Sequence, residues 1–392
     1  MVSLDEQLQQ SLEQRRQQQR YRQRKTVTSP QGAFITVEGR QQLAFCSNDY
    51  LGLANHPAVI AAMTTAAQEV GVGSGASHLI YGHSEHHHHL EAELAAFTGR
   101  ERALLFSTGY MANMGVISAL LSRGDTVFED RLNHASLIDA GIMSRARIKR
   151  FRHNDLTQLQ QQLEASGTER KLVAVDGVFS MDGDLAPLAD MSALCQRHNA
   201  WLMVDDAHGF GVLGTQGGGC AEHFDLTTSQ LPILVGTLGK SFGTFGAFVA
   251  GSTTLIESLI QWARPYIYTT ALPPAIAAAT RKSLQLIQTE HWRRQQLNDR
   301  IHQFREGARL LGLSLMPSST PIQPLLLGDE ANVLKADSLL RQRGILVGAI
   351  RPPTVPQGQS RLRITVNCNH QAEHIDQLLT ALDAAIPLSL RQ

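Results

Sequence analysis

The sequence predicts an α/β fold: a large domain with a mostly parallel central sheet flanked by helices, plus a smaller α+β C-terminal domain. Two observations support this prediction. From about residue 90 to 250, short apolar strands alternate with helical patterns of roughly 10 to 15 residues, as the crossovers of a parallel sheet require. Near residue 290 the composition shifts to a long amphipathic helical pattern, which short strands and one more helix follow.

The apolar stretches define the elements in chain order. The predicted strands of the large domain are RALLF, DTVFED, RIKRF, KLVAVDGVF, WLMVDD, PILVGT and GAFVAG. Helices are predicted between them, among them YMANMGVISALL, ASLIDAGIMS and LADMSALCQRHN. The C-terminal domain is predicted to open with the helix EHWRRQQLNDRIHQFREGARLLGL, to contain the strands IQPLLLG, ILVGAI and RLRITV, and to close with the helix HIDQLLTALDAAI. We place the domains at residues 1–50 (an N-terminal helix and short strand segment), 51–288 and 289–392.

The composition predicts a globular protein with a sizeable core. The chain has 392 residues, of which 43% are hydrophobic, and its 35 Lys and Arg residues balance 35 Asp and Glu residues. A chain without net charge has no overall field that attracts nucleic acid or an anionic membrane. We therefore expect small-molecule partners or another protein chain, and neither nucleic acid nor a membrane.

The cysteines and the N-terminus predict a cytoplasmic location. The four cysteines are far apart in sequence and form no CxxC pair, which favours free thiols in a reducing compartment. The first 25 residues predict a polar, Gln- and Arg-rich helix with leucines at positions 4, 8 and 12, of a kind that docks on a neighbour. This segment has no apolar signal core, and no apolar run of 18 residues occurs, so we expect neither export nor membrane insertion.

The stretch GTLGKSFG, at residues 236–243, places a lysine between glycines after an apolar strand. A phosphate-binding P-loop would need a glycine five residues before Gly239, and Leu234 occupies that position. A second nucleotide candidate, GVGSGA at residues 71–76, follows a helical pattern instead of a strand. Both nucleotide interpretations are therefore disfavoured.

Lys240 is suited instead to covalent attachment of a cofactor. A lysine that forms a Schiff base must be a free amine, and desolvation beside an apolar core lowers its pKa in that direction. Pyridoxal 5′-phosphate (PLP) also needs a carboxylate near its ring nitrogen, for which Asp205 at the end of WLMVD is placed. His208 is close enough in sequence to reach the phenolic oxygen. The alternatives are a structural buried lysine and an Asx-type turn at Asp205 and His208.

Two further requirements of such a cofactor are met at other predicted strand ends. The segment STGYMAN offers the N–H groups of Gly109 and Tyr110 at a helix start, where a phosphate binds, and Thr237 can add a hydroxyl. His134, at the start of the next predicted helix, can stack on the cofactor ring, although a helix-capping role is the alternative. These groups all follow strands, at the edge where open α/β sheets bind ligands.

Together these residues make the sequence resemble the α-oxoamine synthases of the fold-type-I PLP-dependent transferases. The likeness runs along nearly the whole chain. It is carried by SNDYLGL (47–53), STGYMAN, NHASL, DGVFSMDGD (176–184), DDAHGFG, GTLGKSFG and AIRPPTVPQGQSRLRIT (349–365). Members of this family are acyltransferases that join an amino acid to an acyl thioester with loss of carbon dioxide, and they act as homodimers with a shared active site.

The resemblance implies a role for each matching residue. The implied catalytic residues are Lys240, as covalent attachment point and general base, and His134, Asp205 and His208. The implied cofactor contacts are Gly109, Tyr110, Ser180, Asp205, His208, Thr237 and Lys240, with Thr269 and Thr270 facing the partner's cofactor. The implied substrate contacts are Arg22, Asn48, His134, Arg351, Thr354 and Arg363.

The RPPTVP loop with RLRIT favours a member that uses L-alanine and a pimeloyl thioester, carried by CoA or a carrier protein, over the glycine-using members. Three alternatives stay open: a glycine-using synthase, a non-catalytic partner subunit and a nucleotide-binding protein. The run His86–His89 has i, i+3 spacing that could suggest zinc, but no matching Cys or carboxylate cluster supports it. We therefore expect no metal there.

Overall fold

The computed structural model describes residues 2–18 and 20–391. The strands are β1 (Phe34–Val37), β2 (Arg40–Phe45), β3 (Arg102–Phe106), β4 (Thr126–Asp130), β5 (Arg147–Phe151), β6 (Lys171–Asp176), β7 (Trp201–Asp205), β8 (Ile233–Thr237), β9 (Ala247–Gly251), β10 (Ile322–Gly328), β11 (Ile345–Ile350) and β12 (Ser360–Thr365).

Helices cover both faces of the central sheet and complete the C-terminal region. They are α1 (Leu4–Gln17), α2 (Pro57–Val70), α3 (Glu85–Thr98), α4 (Gly109–Leu120), α5 (Ala135–Ser144), α6 (Leu156–Glu164), α7 (Leu188–Arg197), α8 (Gly219–His223), α9 (Thr253–Trp262), α10 (Arg264–Ile267), α11 (Pro274–Thr289), α12 (Trp292–Leu310), α13 (Glu330–Gln342) and α14 (Ala372–Ala385).

The central sheet has seven strands in the order β3-β9-β8-β7-β6-β4-β5. Its pairs from β8 through to β5 are parallel, and only β9 runs antiparallel to its neighbours β3 and β8. Both faces of the inner strands are buried: every residue of β4 is buried, and so is every residue of β6 except Lys171, which is half-buried. The predicted mostly parallel sheet is therefore confirmed.

The second sheet joins the two ends of the chain. Its order is β1-β2-β11-β12-β10, and β2 pairs in parallel with β11. The apolar ends of these strands, Leu43–Phe45 and Ile345–Val347, are aligned in register and largely buried. The N-terminal strands thus pack with C-terminal strands about 300 residues later in the sequence, a pairing that local pattern does not reveal.

The N-terminal helix forms, but it is shorter than the 25 residues predicted. Ser3 caps α1 through a reciprocal capping box with Glu6, and the helix ends at Gln17. Leu4, Leu8 and Leu12 are all exposed, so this leucine stripe does not pack on its own chain. None of the helices in residues 2–18 and 20–391 combines the length and apolar character needed to cross a bilayer.

The strand order gathers polar side chains at one edge of the sheet. The adjacent strands β8, β7, β6 and β4 end in Thr237, Asp205, Asp176 and Asp130. The GVGSGA stretch lies elsewhere and follows α2 instead of a strand, so it has the wrong context for a dinucleotide fingerprint. The carboxyl edge of the sheet is therefore where a functional site is to be sought.

His153 ties the loop after β6 to this edge. Its Nδ1 lies 3.2 Å from Asp130 Oδ1, and its Nε2 lies 2.8 Å from Asp184 Oδ2. Burial lowers the pKa of His153, but the hydrogen bonds and charges of the two carboxylates outweigh it and raise the pKa to about 10. The loop that carries Ser180 is thereby held by a charged imidazole.

Replacement of His153 by Gln tests this link. Because the folded-state pKa is raised, the stabilisation is fully present below about pH 6.5, the ordinary value, and is lost as the pH rises through about 10. We expect H153Q to lower the Tm by about 2 °C or more at pH 7 and by much less near pH 10. Thermal unfolding across this range measures the effect, with the exposed His302→Gln as control. An equal loss at both pH values would contradict the prediction.

Candidate active site

Lys240 is a half-buried residue in the turn that follows β8, at the carboxyl edge of the sheet. Its Nζ is 2.7 Å from Nε2 of His208. Burial lowers the pKa of Lys240 to about 8, from an ordinary 10.5, despite the nearby charges of Asp205 and Asp176. The free, nucleophilic amine is therefore far more populated near neutral pH than it is for an ordinary lysine.

A chain of contacts leads from Lys240 through His208 to the C-terminal sheet. Nδ1 of His208 lies 2.6 Å from the Tyr50 hydroxyl, and this hydroxyl also donates to Asn48 Oδ1 at 3.3 Å. Arg363, on β12, donates to the same Asn48 oxygen at 3.2 Å. Burial and the positive charge of Lys240 lower the pKa of His208 well below its usual value, so its ring is neutral. Three separate segments thus orient the Lys240 amine.

Asp205 occupies the last position of β7 and is buried. Its Oδ2 accepts a hydrogen bond of 2.6 Å from Asn113, and its Oδ1 accepts the Ala207 N–H at 3.1 Å. The Asn113 amide also donates to Ser136 Oγ at 2.8 Å. The predicted position of Asp205 at a strand end is confirmed, and its carboxylate is held in a fixed orientation.

His134 is the N-cap residue of α5, so the capping alternative is confirmed for its backbone position and side chain. Its Nδ1 lies 2.7 Å from Ser136 Oγ, and its backbone N–H donates to Asp176 Oδ2 at 2.6 Å. Burial lowers the pKa of His134, which favours the neutral ring. Burial and the neighbouring Asp205 raise the pKa of Asp176 well above its usual value.

The N-terminus of α4 opens next to these groups. Thr108 caps the helix, and a side chain added at Gly109 would meet open space. The first N–H groups of a helix have no partner within the helix, so this end is suited to an anion. The Tyr110 hydroxyl donates to Asp139, while Thr237 donates from the end of β8 to the Gly246 carbonyl at 3.2 Å.

A cavity of about 510 Å³ adjoins this region. It brings together Arg22, His134, Ser180 and Thr354, four predicted residues from four distant parts of the chain. Arg361 closes one wall, where it is fully buried and forms an ion pair of 2.7 Å with Asp182. The volume lies within the usual range for small-molecule sites.

The remaining predicted residues lie outside the lining of this cavity. Arg363 is buried and reaches the site from β12, where its Nε donates to the Ser180 carbonyl at 2.6 Å. Arg351 is half-buried beyond the end of β11. Thr269 and Thr270 follow α10 on a segment whose Thr270 is exposed. Arg363 therefore contacts residues of the site, whereas Thr269 and Thr270 do not line its cavity within a single chain.

Sequence reasoning missed four residues that organise the site: Tyr50, Asn113, Asp176 and Arg361. Asp176 had a detectable signal, because KLVAVD ends an apolar strand with an acid just as WLMVD does. Tyr50 lies within SNDYLGL, but its hydrogen bond to His208 spans 158 residues. Asn113 and Arg361 lie within STGYMAN and RLRIT, but their partners were not predictable, because packing of distant segments directs them toward Asp205 and Asp182.

Comparison with known proteins agrees with the family resemblance found in the sequence. The family model for aminotransferase class I and II matches residues 40–382. The 8-amino-7-oxononanoate synthase of Saccharophagus degradans is 61% identical over 97% of this chain and 96% of its own length. That of Cellvibrio japonicus is 62% identical over 97% of this chain and 95% of its own length.

Solved structures share the whole architecture. Serine palmitoyltransferase from S. paucimobilis, with bound PLP and myriocin, is 31% identical and superposes with a TM-score of 0.92 over 98% of both chains. The 8-amino-7-oxononanoate synthase of Francisella tularensis is 32% identical, with a TM-score of 0.78 over 88% of this chain and 97% of its own. The fold class predicted from the sequence is therefore confirmed. The chain belongs to the aminotransferase class I and II family and, within it, to the 8-amino-7-oxononanoate synthases.

Proposed function

We propose that this chain is a PLP-dependent acyltransferase that makes 8-amino-7-oxononanoate, a step of biotin biosynthesis. It joins the α-carbon of L-alanine to the carbonyl carbon of a pimeloyl thioester, carried by CoA or by a carrier protein. The carbon–sulfur bond breaks and releases the free thiol, and the alanine carboxylate leaves as carbon dioxide. The observation that carries the proposal is the Lys240 amine, which lies 2.7 Å from a neutral His208 beside a cavity that holds His134 and Arg22.

The residues present fit PLP on four counts. Lys240 supplies a free amine for the aldehyde, and the fixed Asp205 carboxylate suits a protonated ring nitrogen. The open N-terminus of α4 at Gly109 suits the phosphate, with the Thr237 hydroxyl close in sequence to Lys240. When bound, PLP supplies an electron-poor ring that spreads the negative charge left on the α-carbon after it loses a proton.

The residues of this chain perform the proton transfers. Lys240 would hold the cofactor through its amine, and the same amine, when free, would act as the general base that accepts the α-proton of alanine. His208, held by Tyr50, keeps the Lys240 amine in position. His134, exposed at the cavity, donates a hydrogen bond to the thioester carbonyl as negative charge develops on its oxygen.

Arginines on two sides of the site bind the substrate carboxylates. Arg22, from the segment after α1, and Thr354, from the loop after β11, face the cavity and receive the distal carboxylate of the pimeloyl chain. Arg363, with Asn48, lies near Ser180 and the Lys240 network and binds the alanine carboxylate. Arg351 assists from the end of β11. Arg361 is already paired with Asp182 and supports the cavity wall instead.

Assembly as a homodimer with a shared site, and a cytoplasmic location, are also part of the proposal. Large apolar side chains are exposed beside the Thr269–Thr270 segment: Tyr81 is 99% exposed, Ile80 65% and Tyr268 71%. The two segments that carry these residues meet where Ala271 donates its N–H to the Ala76 carbonyl. An apolar surface of this kind is typical of a protein interface.

The cytoplasmic location is supported by the four cysteines, which are free thiols.

Replacement of Lys240 by Ala tests the reaction. We expect K240A to lose at least about 10²-fold in turnover of L-alanine and pimeloyl-CoA, because it lacks the general base. The exposed Lys335→Ala, on α13, serves as the matched control and keeps wild-type turnover. Release of CoA and formation of the amino ketone are measured with alanine and, in parallel, with glycine and a short acyl-CoA. Wild-type turnover by K240A would refute the mechanism, and a preference for glycine would indicate a glycine-using synthase.

The pH dependence of PLP uptake tests the state of the Lys240 amine. Because the pKa of Lys240 is lowered to about 8, cofactor-free chain should take up PLP with a rate that is half-maximal near pH 8. The absorption of the lysine–PLP Schiff base reports the rate, and Nα-acetyl-lysine measured in parallel provides the reference for an ordinary amine. A half-maximal rate above about pH 10, as for an ordinary lysine, would show that the amine is not desolvated.

Replacement of Ile80 by Glu tests the proposed interface. A charge at this exposed apolar position opposes burial against a second copy of the chain, so the dimer should dissociate at concentrations where the wild type does not. Sedimentation velocity measures the mass of each variant. Leu310→Glu, at a position 75% exposed on α12, is the control and should leave the mass unchanged. A wild-type chain that sediments as a monomer would contradict the dimer.

A further inference from the structure

Three histidines form a cluster outside the site described above. Within residues 2–18 and 20–391, one ring nitrogen from each of His78, His83 and His87 lies within 4.8 Å of those of the other two. His78 belongs to a short 3₁₀ turn, and His87 lies in the first turn of α3. His78 and His87 are buried, while His83 is half-buried and open to solvent. The cluster is therefore accessible from one side.

The ring nitrogens of His78 and His83 point at each other. Their Nδ1 atoms are only 2.9 Å apart, the distance of an N–H···N hydrogen bond, so both atoms face one point, and the ring that donates must give up its Nδ1 proton to bind an ion. Zinc–nitrogen bonds of about 2.0–2.1 Å place tetrahedrally arranged nitrogens about 3.3–3.4 Å apart. A separation of the two rings by about half an ångström would thus admit an ion.

The hydrogen bonds of His87 define its tautomer. Nε2 lies 2.7 Å from the Leu272 carbonyl oxygen, which only accepts, so Nε2 carries the proton. Nδ1 therefore keeps a lone pair, which accepts from Ser84, whose N–H nitrogen and Oγ each lie 2.9 Å away. A metal-bound histidine commonly donates its other ring N–H to a carbonyl or carboxylate in this way. His87 can bind an ion through Nδ1 if this atom gives up its contacts with the N–H and the Oγ of Ser84.

A carboxylate, that of Glu91, lies near the Nε2 atom of His83. Its Nε2 lies 3.9 Å from Oε2 of Glu91, whose Oε1 accepts the Leu105 N–H at 2.9 Å. Burial lowers the pKa of His78 to about 3 and that of His87 to about 4, and it also lowers that of His83. Imidazole binds a metal in its neutral form, which burial favours.

We propose that His78, His83 and His87 bind one divalent transition-metal ion of the nitrogen-preferring class, such as Zn²⁺ or Co²⁺. His78 and His83 bind through Nδ1 and His87 joins them as the third ligand, which leaves one position for water. The site differs from the His86–His89 run considered in the sequence, since of that run only His87 takes part.

The ion would fasten the 71–84 segment to the chain around α10. The His78 ring is stacked on Tyr266, with centroids 5.0 Å apart. His87 and Ser74 both bond to the Leu272 carbonyl, at 2.7 Å and 2.6 Å. A metal bound to the three histidines would therefore brace the segment that contains Thr269 and Thr270. Its role is structural, and it does not depend on the proposed reaction.

Metal titration of the full chain with its cofactor, purified without a polyhistidine tag, tests the proposal. Co²⁺ is followed by visible absorption and Zn²⁺ by calorimetry and thermal unfolding. We expect one ion per chain, tetrahedral Co²⁺ bands and a Tm raised by Zn²⁺. His83→Gln should weaken binding at least about tenfold. The matched control His89→Gln, exposed on the same helix, should bind as the wild type does.

Several outcomes would overturn the proposal: no stoichiometric ion in the wild type, octahedral Co²⁺ bands, or equal binding by H83Q. Loss of binding in H89Q with retention in H83Q would place the ion on the helix surface and also refute it. Ion binding at the cofactor is common to both variants and cancels in their comparison. If H83Q does not fold, as judged by circular dichroism, the stoichiometry and Co²⁺ bands of the wild type decide alone.

Discussion

The parallel alignment of β8, β7, β6 and β4 is the constraint on which the rest of the structure depends. Parallel neighbours end at the same edge, so the strand order places Thr237, Asp205, Asp176 and Asp130 side by side. These strands are buried, and because they are buried, the edge at which they end is poorly solvated. A poorly solvated edge lowers the pKa of the Lys240 amine and raises that of the Asp176 carboxyl. The sheet thus creates both the positions and the chemical states of the site.

Each functional group at this edge is held by partners from distant segments. His208 is fixed between Lys240 and Tyr50, and Asp205 is fixed by Asn113. Such support holds the reacting groups in one arrangement before substrate arrives, which is what lowers the cost of reaching a transition state. The second sheet contributes through Arg363, so the site is complete only when the N-terminal strands, the central sheet and the C-terminal strands have packed together.

The histidine cluster shows the same physical logic in a different place. Burial keeps its imidazoles neutral, and packing against Tyr266 and Leu272 sets their orientation. In the active site, burial favours the free amine of Lys240 and the neutral ring of His208. Beside α3, packing turns the Nδ1 atoms of His78 and His83 toward each other. The histidine cluster borders the chain around α10, whose exposed apolar side chains belong to the proposed interface between subunits.

Local pattern in the sequence determined the strands and helices of the central sheet, because the period of apolar residues reports which faces are buried. It also determined that Lys240 and Asp205 follow apolar strands, and the short motifs around them were enough to identify the family. Tertiary structure alone decided the contacts of Tyr50 with His208, of Arg363 with Asn48 and of β2 with β11, and it alone turned His78 and His83 toward each other. The Arg363–Asn48 contact spans 315 residues. No local period encodes such a separation, since it depends on how whole elements pack.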